Sequence, residues 1–342
     1  MNMKLNLLVV FLLVALIISG ASAITSYNWS TNAAADWDDD DGMNWVDELG
    51  NPVSKPNGLY EVKIRSPGSI VSLDTIEGNW SSTGAGTRLR VYEGATLNIV
   101  DGGELNGFGW IRIGDSGGSA EQIGILNQSG GQILLRKLKE TGKLCIGDGA
   151  GIKPGSIYTM SGGILTYNAA DTACAGQLII GSRDGEGTFV VVGDAPVIQM
   201  KNLYIAGDSV SAGNPYNFGI GTLKFLVGAT GVSPINLAGT AYIDQGSNTL
   251  ANLIVSLTAA PLIGEDILLV NASSPIQGVF DSLNGGSAAQ GASVTLGFGS
   301  VNYNYTLTYS GGDDDNIALL WVPEPATVAF LCLGLLSVTR RC

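Results

Sequence analysis

The sequence predicts an all-β chain wound as a right-handed parallel β-helix, and three observations predict it. A strand phrase recurs as "WIRIGDS", "KLCIGDG", "QLIIGSR" and "NLYIAGDS", with glycines at Gly114, Gly147, Gly181 and Gly207. A second phrase alternates with it, "VDGGELNG", "QSGGQILL", "MSGGILTY" and a weaker "VVGDAPVI", led by glycines 102, 130, 162 and 193. The steps in both series stay in the range of solenoid repeats. The third observation is composition: 49 glycines and 45% hydrophobic residues, with only 14% charged. Glycine serves tight corners and aliphatics stack between coils. A β-sandwich or a β-propeller is the alternative, since short strands separated by turns also suit those folds.

Superposing the strand phrases gives one column of Ile111, Leu144, Leu178 and Leu203, and another of Ile113, Ile146, Ile180 and Ile205. Strand side chains alternate between faces, so both columns point inward. Arg112, Cys145, Ile179 and Tyr204 then point outward. Leu97, Ile125 and Ile157, five residues before each Gly-Gly, form a third candidate column, and Leu105, Ile133 and Leu165 a fourth. These phrases resemble the autotransporter-associated and pectin-lyase-like β-helix repeats. The helix is expected over 89–227.

The flanks read differently. Residues 1–23 form a signal peptide: Lys4 supplies the positive start, Leu5 to Ile18 is apolar, and Ala21-Ser22-Ala23 is a small-residue cleavage site. The secretion translocon and signal peptidase are its expected partners. Residues 24–88 read as an N-terminal cap rich in tryptophan, with Trp29, Trp37 and Trp45 eight residues apart. Exposed, these would offer a stacking surface for sugar rings. Buried, they would plug the first coil, which needs an apolar lid, and the plug is the favoured reading. Residues 228–321 read as a C-terminal β-rich cap.

Residues 322–342 hold Pro323, Glu324 and Pro325, an apolar run from Ala326 to Val338, and the basic pair Arg340 and Arg341. The run is shorter than the ~20 residues that span a bilayer comfortably. The prolines favour an extended, accessible peptide before it. This order of parts resembles the PEP-CTERM sorting domain of exported bacterial proteins. The resemblance implies recognition by an exosortase, with Pro323, Glu324 and Pro325 as its motif, Arg340 and Arg341 as the basic end, and transient membrane association through the tail. Cys332 and Cys342 depart from the pattern and receive no role.

Chemistry is sparse. The chain has no histidine, which removes Ser-His-Asp and Cys-His catalysis. A net charge of -13 argues against nucleic acid. Asp36, Asp38 and Asp40, within "DWDDDDG", are the candidate calcium ligands, because clustered carboxylates supply hard oxygens. The spacing of glycine and glutamate departs from an EF-hand loop. Asp115, Asp148 and Asp208 follow the corner glycines, where aspartate serves turn chemistry or a second calcium ladder. Arg112, Asp115, Asp148 and Arg183 are the nearest approach to a lyase site on the outer face, and they read as ordinary surface. Cys145 and Cys174 are left open as a pair. The expected function is a secreted, non-enzymatic structural or adhesive protein of the cell envelope, cell surface or extracellular matrix. The alternative is a polysaccharide-binding protein or pectate-lyase-like polysaccharide lyase, with extracellular polysaccharide as partner.

Overall fold

The computed structural model describes residues 26–29, 34–36, 45–46, 51–52, 61–65, 67–74, 76–77, 88–114, 123–137, 142–148, 155–182, 185–207, 218–244, 248–310 and 315–323. Every regular element among them is a strand, and the strands form three sheets. From Glu61 to Ala272 the chain visits the first, second and third sheets in turn, and each visit lies parallel beside the previous one. One such coil runs through Trp110–Ile113, Gly124–Gln128 and Gln132–Leu135, and the next through Lys143–Asp148, Ser156–Met160 and Ile164–Tyr167. This cycle of parallel neighbours is a parallel β-helix. A sandwich or propeller is built from antiparallel neighbours instead.

Both columns of the first sheet are present. Ile111, Leu144, Leu178 and Leu203 stand in register, as do Ile113, Ile146, Ile180 and Ile205. All eight are fully buried. Burying such a side chain stabilises by about 1.5–3 kcal/mol, so the columns carry much of the fold. Leu105, Ile133 and Leu165 also align and are buried, now on the third sheet.

The third column differs by one residue. Leu97 pairs with Leu126, not Ile125, and continues through Tyr158 and Phe189. Ile125 and Ile157 pair with each other on the outer face, and Ile157 is 37% exposed. Counting back from Gly-Gly fails because "NIVDGG" carries one more residue ahead of its glycines than "NQSGG". A single-residue slip moves a side chain to the other face.

Parallel pairing extends on both sides of 89–227. Ser26–Trp29, Glu61–Ile64 and Arg88–Val91 are successive neighbours in the first sheet. In the second sheet, Phe218–Val227 pairs along its whole length with Asn248–Leu257. Glu61–Ile64, Arg88–Val91 and the described side chains of the second-sheet pair lack the glycine phrases but keep inward alternation, so register persists where the sequence motif fades.

Each end is closed by side chains. At the start, Trp45–Val46 runs antiparallel to Trp29, and the two indoles meet edge to face at 4.9 Å, both buried. They plug the solenoid; Trp37 lies outside the described residues. At the far end, Asp281 Oδ2 accepts from the Ala251 amide at 2.7 Å. Asn284 accepts from the Val255 amide and donates to its carbonyl, at 2.8 and 2.9 Å. Between these two residues the short strand Ser282–Leu283 pairs parallel with Asn252 and Leu253, so the Asp281 and Asn284 side chains extend its cover of an edge that would otherwise template association. The third sheet ends in antiparallel strands Ser293–Phe298, Val301–Thr308 and Asn316–Trp321, which close against Ile267–Ala272.

An aspartate at Ile146 would place a charge inside the stack. Ile146→Asp should cost at least about 3 kcal/mol in urea denaturation. Ile157→Asp, on the outer face, should stay within about 1 kcal/mol of the parent chain. Equal losses would show that the register is wrong.

Candidate functional site

The side chains with most chemical character sit on the outer face of the first sheet. Arg112 and Cys145 are direct partners across neighbouring coils, and Ile179 and Tyr204 continue their row. The outward direction is as expected, but the exposure is not. Arg112 is 6% exposed, Cys145 2% and Ile179 0%. Facing away from the aliphatic columns is therefore not the same as facing water. Trp110, two residues before Arg112 on the same face, is buried with Cys145 and Ile179, and Tyr204 packs against them.

Trp110 organises this strip. The Arg112 guanidinium lies 3.5 Å from its ring centroid, with Lys143 at 4.2 Å and Arg88 at 4.9 Å. An indole face attracts cations through its quadrupole. The Trp110 Nε1–H donates to Cys145 Sγ at 3.3 Å. Across the strip, Arg112 Nε lies 3.0 Å from Asp148 Oδ2, and Ser182 Oγ donates to Asp148 Oδ1 at 3.1 Å. Arg112, Asp148 and Ser182 come from three successive coils, so one carboxylate ties three turns together. Both its oxygens face these neighbours, and its burial excludes bulk water.

The corner that carries Asp148 explains its placement. Gly147 has φ +69, and a Cβ there would lie 2.1 Å from the Glu186 carbonyl. Ala206, not Gly207, occupies the equivalent place after Ile205, at φ +53. Gly207 consequently follows the corner where Asp148 does. Asp115, Arg183 and Asp208 lie outside the described residues, so the structure joins only Arg112 and Asp148 of the expected outer-face set.

For the acidic run, Asp36 ends the short strand Ala34–Asp36, paired beside Ile70–Leu73. Asp38 and Asp40 lie outside the described residues. Among the described residues no group of three or more cysteine, aspartate or glutamate side chains is placed to hold a metal ion. Of the processing residues, Pro323 is described and exposed. Ala21, Ala23, Glu324, Pro325, Arg340 and Arg341 lie outside the described residues.

Cys145 and Cys174 are both buried and are not bonded to each other. Cys174 belongs to the corner leading back into the first sheet, where its Sγ contacts the Leu135 carbonyl and a Cβ on Gly142 would lie 2.4 Å from it. Burial raises its pKa.

Interior polar groups escaped sequence reading. Gln128 points inward and is 1% exposed. It accepts from the Tyr158 hydroxyl and donates to the Gly131 and Ile164 carbonyls. Burial pushes the Tyr158 hydroxyl far above its usual range, so it stays neutral and can donate. A polar residue at an inward position of the alternation was the only available signal. Outside, amides form ladders: Asn127 donates to Asn98 at 3.0 Å and Asn271 to Asn236 at 3.1 Å. An open groove of about 440 Å³ lies near the end of the second sheet, lined by Thr222, Asn252, Ile254, Ser256, Ser282, Asn284 and Gly285. No family model, curated protein or solved structure matches this chain.

Removing one partner of a buried ion pair leaves the other charged and desolvated. Asp148→Leu or Arg112→Met alone should therefore destabilise by about 3–5 kcal/mol, and the two together by clearly less than the singles summed. Urea denaturation of the double-mutant cycle decides it; additive losses would mean the pair does not couple the coils.

Asp244, at the same kind of corner with φ +51, has its pKa raised above the ordinary value by burial. The Thr249 hydroxyl lowers it and the Asp281 charge raises it. A carboxyl whose folded pKa is raised contributes stability below its unfolded pKa, and loses it as pH climbs through the folded value. Asp244→Asn, which tolerates this backbone conformation, should raise Tm near pH 7 and give no gain near pH 3. A gain at both pH values would assign the effect to something other than ionisation.

Proposed function

We propose that the chain is a secreted, non-enzymatic structural or adhesive protein, sorted to the cell envelope, surface or extracellular matrix through its C-terminal signal. The observation that carries the non-enzymatic reading is the commitment of the outer-face chemistry to the fold. Asp148 is buried and engaged by Arg112 and Ser182 from other coils. A lyase needs an accessible base and an open place for the sugar acid beside it. Here the nearest carboxylate and arginine neutralise one another.

The sorting reading draws support from the way the chain leaves the fold. Asn316–Trp321 lies between Val301–Thr308 and Ile267–Ala272, so it is held on both sides. The Val322 amide donates to the Asn304 carbonyl at 2.9 Å, and Pro323 follows, exposed. Pro323, the first residue of the triplet, thus directly follows the last described backbone pairing and has no amide of its own to extend it. Exosortase is the partner implied by the triplet, the apolar run and the two arginines. Export through the translocon and signal peptidase cleavage after Ala23 precede it.

A second reading is favoured by the groove over Thr222, Asn252 and Ser282. Its hydroxyl and amide groups beside Ile254 suit the polar edges and apolar faces of sugars, so polysaccharide binding is the alternative on this scaffold.

In the native host, the mature protein should lack the residues after the triplet. Glu324→Ala, or deletion of 326–342, should divert it from its normal destination. Intact-mass measurement on fractionated cells checks this, and a full tail on correctly localised protein would contradict it.

A further inference from the structure

Three chain segments reach one end of the terminal antiparallel sheet together. Ile267 pairs with Leu319, so the turn holding Leu262 and Ile263 lies beside the end of the strand that finishes at Trp321. The Asp266 carboxylate accepts from the Trp321 amide at 2.7 Å and fixes that neighbour. On the other side, Tyr305 pairs with Trp321, which brings the Phe298–Val301 hairpin tip to the same end. Every one of these segments presents apolar side chains to the outside. Ile263 is 79% exposed, Leu262 55%, Val301 50%, Phe298 39% and Val322 38%. Tyr303 and Trp321, with ring centroids 6.2 Å apart, lie just behind them.

Apolar groups this exposed and gathered mark an interaction surface. The sequence beyond Pro323 indicates the occupant. Only Glu324 and Pro325 separate Pro323 from a run without charge that extends from Ala326 to Thr339. Three residue steps span about 10 Å at most. Once that run enters a bilayer, the end of the sheet is held within reach of the headgroups. Leucine, isoleucine and phenylalanine partition into that boundary, and tyrosine and tryptophan favour it.

We infer that Leu262, Ile263, Phe298, Val301 and Val322 form a membrane-apposed rim, which seats the terminal sheet on the lipid surface while the C-terminal run is inserted. The inference rests on the sorting reading, in which the tail associates transiently with a membrane. The rim adds what the tail alone lacks. It fixes how the protein stands on the bilayer, and it holds the Pro-Glu-Pro triplet at the interface. Release of the tail would leave the rim a weak, reversible contact, because a few apolar side chains alone give marginal membrane binding.

The test uses the full chain with Cys332 and Cys342 replaced by serine, and an environment-sensitive dye on one introduced cysteine. Three proteins are made: Ile263→Cys at the rim, Ala329→Cys in the tail, and Ser129→Cys at an exposed mid-solenoid corner. Each is reconstituted with phosphatidylethanolamine–phosphatidylglycerol vesicles carrying nitroxide lipid. The expected result is quenching at 329 and 263, with none at 129. Quenching at 329 alone would overturn the rim and leave the tail reading standing. Absence of quenching at 329 would remove the tail reading and the rim with it. A dye at 263 that is shielded from lipid, in protein that sediments as a dimer, would hand the rim to a second copy and overturn the inference.

Discussion

The structure depends on one constraint: each coil must follow its predecessor at parallel-strand spacing all the way round, corners included. On the flat faces that spacing, about 4.8 Å, is set by backbone hydrogen bonds. At the corners the same spacing brings one turn's backbone against the carbonyls of the turn before. A Cβ on Gly131 would lie 2.1 Å from the Gly103 carbonyl, and one on Gly163 2.1 Å from that of Gly130. Without the glycines the coils would have to separate there, and the aliphatic columns would lose the contact that makes them a core. The repeated Gly-Gly phrase and the repeated aliphatics are therefore two parts of one requirement.

The same stacking explains where the polar chemistry goes. A group at one position of a coil meets its counterpart in the next, so side chains pair along the axis. Asparagines make ladders, Gln128 and Tyr158 satisfy one another in the interior, and Arg112 reaches Asp148 across the outer strip. In each case the partner is a neighbouring coil. Among the described residues these polar groups serve cohesion between coils, which supports the proposed scaffold reading. What remains outward near the end of the solenoid is a polar groove and an apolar rim, both suited to contact.

Much of the fold was legible because stacking writes itself into sequence as repetition. Ile113, Ile146, Ile180 and Ile205 could be aligned by their following corner residues, and the aligned positions share one column. Repetition misleads where corner lengths vary. "NIVDGG" holds one residue more than "NQSGG", which displaced Ile125 and Ile157 from the core to the outer face. Where a non-glycine residue takes the left-handed corner, as at Ala206 with φ +53, Ile205 keeps its column but the glycine that follows is one step out of phase. Burial of the outward strip was not legible, since alternation tells which way a side chain points and not what lies over it. Parallel pairing before residue 89 and after 227 was hidden for a related reason: those corners do not repeat a common phrase. The end closures depend on single side chains, Trp29 and Trp45 at one end and Asp281 and Asn284 at the other, which no period announces.

The requirement for bare backbone at the corners can be separated from the requirement for a left-handed conformation. Gly131 and Gly193 turn equivalent corners at φ +59 and +65, but a Cβ on Gly193 meets nothing within 4 Å. Gly193→Ala should lose only the conformational cost, about 1–2 kcal/mol. Gly131→Ala adds a clash with backbone that cannot move without parting two coils, and should lose at least about twice as much. Equilibrium urea denaturation of the two variants gives the comparison directly. A markedly larger loss at Gly131 is the expected result, and equal losses would contradict the claim that corner-to-corner contact holds the solenoid together.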